Sequence, residues 1–211
     1  MVGSPNRDRK SERREATRRE ILAAAWDVAH ESGLISVTLR EIAARIGMRP
    51  PSLYSHFASK NAIFDAMFAQ AWDEFSTVLE KAIPAFPADP RGRLLAGAST
   101  YFDFAVGDLA RHQLMDMPML PDFTPSEQAF QSSLQCYGLM RSLMDEIGIQ
   151  RQADLDLYTA LVGGLVNQQL ANDPGGDRWT ALIEESVAMF LAHCQAAARP
   201  SVPARPQGAS S

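Results

Sequence analysis

GMRPPSLYSHF, residues 47–57, sets two adjacent prolines directly before a Tyr, a His and two serines. Proline is welcome only in the first turn of a helix, where its missing N–H would have no partner and its fixed φ already suits the helix. Pro50 and Pro51 therefore mark a helix start, and the segment predicts a short helix over about Pro50 to Phe57. Ser52, Tyr54, Ser55 and His56 fall in its first turns, polar where a small core helix would be apolar. A helix of that composition faces something outside the protein.

Upstream, Thr38 and Glu41 have the spacing of a capping box, Leu39, Ile42, Ala43 and Ile46 form a buried face, and Gly47 ends the run. Further upstream, Thr17 and Glu20 repeat that spacing, and Ile21, Leu22, Ala25, Val28 and Ala29 hold one helical face until Gly33. Two short helices joined at a glycine, with a longer one in front, make a helix-turn-helix, whose second short helix enters the major groove of DNA.

Downstream, Ser59 is placed to cap a fourth helix, in which Ile63, Phe64, Met67, Phe68, Ala71, Trp72, Phe75, Val78 and Leu79 keep one apolar face. Pro84, Pro87 and Pro90 break it, and a new stripe runs through Leu94, Leu95, Ala98, Tyr101, Phe102 and Ala105, with a short helix after Asp108. After the loop MDMPMLPDFTP (115–125), Thr124, Pro125 and Glu127 combine a cap, a proline at the first helical position and a capping-box acid. The helix begun there runs to Gly148, another spans about Ala153 to Ala171, and a last one carries Trp179, Leu182, Ile183, Val187, Phe190 and Leu191. No strand run or internal repeat interrupts the series. The reading is an all-α chain of about nine helices: a flexible basic arm (1–13), a helix-turn-helix head (14–60), a larger helical body (61–198), and a disordered Pro/Ser/Ala-rich tail (199–211).

The chain has 211 residues and is 46% hydrophobic, enough for a packed core. Its net charge of −5 divides into +4 over residues 1–60 and −9 over residues 61–211. A basic end on an acidic body suits a nucleic-acid-binding head, and a solvated charged face reads the same way. The two cysteines, Cys136 and Cys194, and the absence of a signal-peptide pattern predict a reducing, cytoplasmic setting. No apolar run approaches the roughly 20 residues of a membrane helix. HExxH, GxSxG, P-loop and GxGxxG motifs are missing, and His30, His56, His112 and His193 do not cluster with carboxylates or cysteines at ligand spacing. Neither an enzyme nor a metal or other cofactor is expected.

The run from Thr17 to Phe68, with its turn at Gly33, TLREIAARIG at 38–47, L-Y-x-H-F at 53–57 and S-K at 59–60, resembles the N-terminal DNA-binding domain of the TetR family of bacterial transcriptional regulators. The resemblance implies a homodimer, a double-stranded palindromic operator, and a body that binds a small-molecule effector, with repression as the family's usual sign. It places Thr38, Tyr54, His56 and Lys60 at phosphates and turns Leu53 and Phe57 inward to hold helix three. Arg49, Pro50 and Pro51 depart from the small or polar residues usual there, and Ser55 replaces a commonly larger side chain. Base reading falls to Arg49, Ser52, Tyr54 and Ser55, with Arg49 suited to a guanine edge.

In the body, the helix of about 153–171 carries Leu155, Tyr158, Val162, Leu165 and Val166 on one face and Leu157, Leu161 and Gly164 on another. A helix buried on two sides needs two partners. Together with the stripe Trp179, Ile183, Val187 and Phe190 it is assigned to a four-helix dimer interface, as the resemblance also implies, ordinary core packing being the alternative. An apolar effector cavity is expected from Phe68, Trp72, Phe75, Tyr101, Phe102, Met115, Tyr137, Met140 and Met144, with Met117, Met119, Phe123 and Phe130 nearby. His112, Asn167 and Gln168 are the polar groups available to orient a ligand there. The rival reading is a small-molecule-binding or interaction protein whose helix-turn-helix is vestigial, supported by Pro50 and Pro51 alone.

Overall fold

The computed structural model describes residues 5–117 and 120–197. Among the described residues it is all-α, with nine α-helices, three short 3-10 turns and no strand. In chain order the helices are α1 (Pro5–Ser32), α2 (Leu39–Arg45), α3 (Pro50–Leu53), α4 (Lys60–Ala82), α5 (Pro90–Gly107), α6 (Leu109–Asp116), α7 (Glu127–Glu146), α8 (Gln152–Asn172) and α9 (Ile183–Ala197). None is long and apolar enough to cross a membrane.

The head folds where its punctuation predicts. Thr38 Oγ1 accepts the Glu41 N–H at 3.2 Å and caps α2; Ser59 Oγ accepts the Ala62 N–H at 3.1 Å and caps α4. Gly33 and Gly47, with φ of 82° and 65°, make the turns on either side of α2, in a backbone region that strains any side chain with a Cβ. Helix three is shorter than expected. After Leu53 the chain tightens into a turn, where the Ser55 hydroxyl donates to the Ser52 carbonyl at 2.7 Å and offers the backbone an alternative to further helix.

Two helix starts differ from the sequence reading. α1 is already helical at Pro5, the first described residue, so the arm expected over 1–13 is helical over its described part. Thr17 sits inside that helix, its hydroxyl donating to the Arg13 carbonyl at 3.1 Å instead of capping. α7 is capped by Ser126, not Thr124: the Ser126 hydroxyl accepts the Ala129 N–H at 3.2 Å, while Asp65 of α4 accepts the Ser126 N–H at 2.7 Å. That long-range carboxylate decides between two adjacent capping signals. The tail at 199–211 and Met119 lie outside the described residues.

The buried apolar residues form two clusters. One runs without a break from the head, through Ile21, Ile42, Leu53 and Phe57, along α4 from Ile63 to Leu79 and on to α6 and α7. The other joins α5, α8 and α9 around Leu94, Phe102, Met144, Leu155, Val166, Ile183, Val187 and Phe190. α4 thus belongs to head and body alike: its first turns complete the head core and its middle packs on α7 and α5.

Candidate functional site

Thr38, Arg49, Ser52, Tyr54 and Ser55 are all exposed, Tyr54 by 57%, and lie at the starts of α2 and α3 and in the turn that follows. His56 and Lys60 are half-buried at the edge of the same surface. Leu53 and Phe57 point inward, 0% and 3% exposed. The predicted reading residues are therefore open to solvent in whole or part, and the two residues predicted to hold α3 from behind are buried. Lys60 rests its ammonium 5.2 Å from the Phe64 ring centre, and among the described residues the buried His56 Nδ1 has no hydrogen-bond partner.

Sequence reading missed what pins this surface. Two arginines of α1 reach across to the turn after α3: Arg14 donates to the Ser55 carbonyl at 3.4 Å and Arg18 to the His56 carbonyl. The Arg18 guanidinium also lies 4.0 Å above the Phe57 ring. Arg45 of α2 donates to Glu31 of α1 at 2.8 Å, a bonding that holds the glutamate below the usual carboxylate range. Basic residues of α1 thus act as struts behind the reading surface. The only sequence signal for this was their i, i+4 spacing, which fits a solvated face equally well.

In the body, α4, α5, α6, α7 and α8 enclose a cavity of about 400 Å³. Phe68, Trp72, Phe75, Tyr101, Met115, Tyr137 and Met140 line it as predicted. Three of the predicted ligand residues do not. Phe102 and Met144, 1% and 0% exposed, belong to the packed cluster between α5, α7 and α8, because their positions on α5 and α7 face the other core. Gln168 faces solvent, its Oε1 accepting from Asn172 at 2.6 Å. The wall also includes Gly97, Asp116, Ser133, Cys136, Tyr158 and Thr159, which periodicity alone did not mark. A Cβ at Gly97 would stand 3.5 Å from the Tyr158 hydroxyl and 3.6 Å from Met140, so the glycine leaves the cavity its room. Burial pushes the Cys136 thiol up to about 11, keeping it a neutral wall group.

His112 is buried, 2% exposed, behind this wall. Its Nε2 lies 2.8 Å from Asn167 Oδ1 of α8 and its Nδ1 3.2 Å from Asp116 Oδ2, one turn along α6. Burial by itself would depress its pKa; the Asp116 carboxylate and the Asn167 oxygen outweigh that and raise it. Asp116 Oδ2 also accepts from the Tyr101 hydroxyl at 2.7 Å, and burial followed by that carboxylate pushes the Tyr101 phenol up. Tyr101 and Asp116, with His112 behind them, form the polar end of a mostly apolar chamber.

The expected interface residues separate into two sets. Ile183, Val187 and Phe190, at most 3% exposed, turn inward onto α5 and α8, and Trp179 is half-buried against the same cluster. The α9 stripe is the chain's own core, since it is the face α9 needs to close the body. On α8, Leu157 is 44% exposed, Leu161 is half-buried and Gly164 faces outward. On α9, Met189 is 62% exposed.

Residues 21–67 match the profile of the bacterial regulatory proteins of the tetR family. The chain is 31% identical over 102 residues to the HTH-type transcriptional activator FasR of Mycolicibacterium smegmatis, covering 48% of this chain and 46% of that protein. It is 32% identical over 81 residues to the class A tetracycline repressor of Escherichia coli, covering 38% of this chain and 36% of the repressor. The chain thus spans less than half the length of these curated relatives. The fold reaches further: the transcriptional regulator FadR of Bacillus subtilis, solved in complex with stearoyl-CoA, superposes with a TM-score of 0.64 at 17% identity, covering 82% of this chain and 97% of that one.

Proposed function

We propose, for a chain that belongs to the TetR family of bacterial transcriptional regulators, that it represses transcription as a homodimer on a palindromic operator and is released when a small apolar effector fills the body cavity. The observation that carries this reading is the continuity of α4. Lys60 opens the helix at the reading surface, Ile63, Phe64 and Met67 complete the head core, and Phe68, Trp72 and Phe75 line the cavity. A helix of this length is a stiff rod of about 35 Å, so displacement at the cavity end is carried to the head. A dimer grips two half-sites only while its heads keep a fixed separation, and a shift of each rod therefore weakens operator binding.

At the head, Thr38, Tyr54, His56 and Lys60 serve as phosphate contacts that set register, while Arg49, Ser52 and Ser55 read base edges. Exposure of these groups together on one strutted surface favours a working reading head over a vestigial one. At the body, an apolar chamber suits the general chemistry of effectors, and the stearoyl chain held by the Bacillus regulator is a ligand of that kind. The dimer is assigned to the outer face of α8 with the exposed edge of α9. A gel shift of the full-length protein on DNA upstream of its own gene, paired with a transcriptional reporter, tests the reading. Repression predicts a specific shift and higher transcription when the protein is deleted. Lower transcription would make it an activator, and no specific shift would return the head to a vestigial role.

A further inference from the structure

The cavity carries a charge signature. Phe68, Trp72, Phe75 and Tyr101 form an edge-to-face series, with ring centres 6.3, 6.5 and 5.2 Å apart in turn. The series ends at Asp116, whose Oδ2 accepts the Tyr101 hydroxyl. Asp116 is also shared with a second cavity of about 310 Å³ that continues past Met115 and Phe130 toward Leu120 and Phe123. Among the described residues it is the one acidic side chain on either wall, and no Lys or Arg lines them.

From this arrangement we infer that the effector is a lipophilic organic cation, held with its charge against Asp116 and its apolar body among the aromatic rings. The inference rests on the cavity being the effector site. Among the described residues both polar contacts of the carboxylate are made by Oδ2, the Tyr101 hydroxyl at 2.7 Å and His112 Nδ1 at 3.2 Å, leaving Oδ1 for a ligand. His112 stands behind the carboxylate and lines neither wall, so a ligand meets the negative group first. α6 ends at Asp116, which places the negative end of that helix at the same point. Aromatic faces attract cations through their quadrupoles, most strongly where water is excluded, and repel anions for the same reason. An anionic headgroup entering this chamber would face a carboxylate with no cation on the walls to receive it. Phe130 and Leu134, 47% and 45% exposed on α7, mark the mouth through which such a molecule enters.

Tetraphenylphosphonium and tetraphenylborate share one shape and carry opposite charge, so their comparison isolates the sign. Calorimetric titration of the full-length protein is expected to show the phosphonium binding at least about tenfold more tightly than the borate, the scale of one ion pair combined with cation–π contacts. Asp116→Asn, which keeps an acceptor for Tyr101, should remove most of that gap, and Asp116→Glu should keep it. Thermal melts and helical circular dichroism of both variants report whether the fold is intact. Equal or tighter borate binding, or a gap unchanged in a folded Asp116→Asn protein, overturns the cation while leaving an effector cavity in place. If neither ion binds, the cation inference is overturned as well, since a chamber of that chemistry should accept the phosphonium.

Discussion

His30 Nε2 stands 2.8 Å from Asp108 Oδ2, and the other oxygen of Asp108 accepts the Arg111 N–H at 2.9 Å as the N-cap of α6. The last turn of α1 therefore bears on the start of the helix whose far end carries Met115 and Asp116. Around this contact the Arg111 guanidinium lies 3.0 Å from Glu74 and 5.6 Å from the Trp26 ring centre, and the Trp26 N–H donates to Gln70 at 3.1 Å. Head and body are joined through α4 and α6, the two helices that also wall the cavity.

Asp108→Ala removes a cap and a head–body contact at once. Loss of the cap alone should cost about 1 kcal/mol of stability, seen as a lower Tm. The second consequence concerns coupling. The drop in operator affinity caused by tetraphenylphosphonium should shrink in the variant, because α6 no longer pushes on α1. A drop of unchanged size would leave α4 as the sole route.

At the reading surface the two classes of contact separate by their response to salt and sequence. Lys60→Ala should weaken binding to every DNA by a similar factor and lower the salt dependence by about one counterion. Arg49→Ala should instead relax preference at one base pair per half-site, at a cost of roughly 1–3 kcal/mol there. Fluorescence anisotropy on operator and scrambled duplexes at several salt concentrations distinguishes them. A uniform loss from Arg49→Ala moves that residue to the phosphate class.

The head was legible because its signals are local: Thr38, Gly47, Pro50 and Ser59 act within one turn of themselves, and the resulting order has few packing solutions. The body was legible only as stripes. Periodicity marks Ile183, Val187 and Phe190 as one buried face but carries no information on whether its partner is another helix of the same chain or a second subunit. Phe102 and Met144 were misplaced for the same reason, since a helix between two cores shows apolar residues toward both. Asp116 was overlooked because a charged residue one turn from His112 reads as solvated until the fold closes around it.

His112 predicts a pH dependence. Its folded pKa lies above its ordinary value, so the folded chain holds the proton more tightly than the unfolded one. The stabilisation is therefore fully present below the ordinary histidine value, about 6.5, and is lost as pH rises through the raised folded value. The Tm advantage of wild type over His112→Gln should be greatest in mildly acidic buffer and narrow as pH climbs. Thermal melts of both proteins across that range check the sign; an advantage that grows with pH would mean the imidazole is held neutral.

Gly164 carries the dimer prediction. A Cβ built there meets nothing within 4 Å, and the residue is exposed on a helix that needs no glycine at that point. An alanine would favour the isolated helix by about 1 kcal/mol, so nothing inside the chain calls for the glycine. Close approach of a second backbone does call for it, and Leu157, 44% exposed on the same helix, and Met189, 62% exposed on α9, are apolar side chains without cover in the single chain. Gly164→Trp should therefore leave the monomer folded, push the two α8 helices apart and abolish specific operator binding, because a lone head holds one half-site only weakly. Phe190→Ala, by contrast, should lower Tm strongly, by about 3–5 kcal/mol of stability, since that ring is 3% exposed inside the chain's own core. Sedimentation velocity and operator titration of the two variants test the division. A Gly164→Trp protein that stayed dimeric with full operator affinity would move the interface off the outer face of α8.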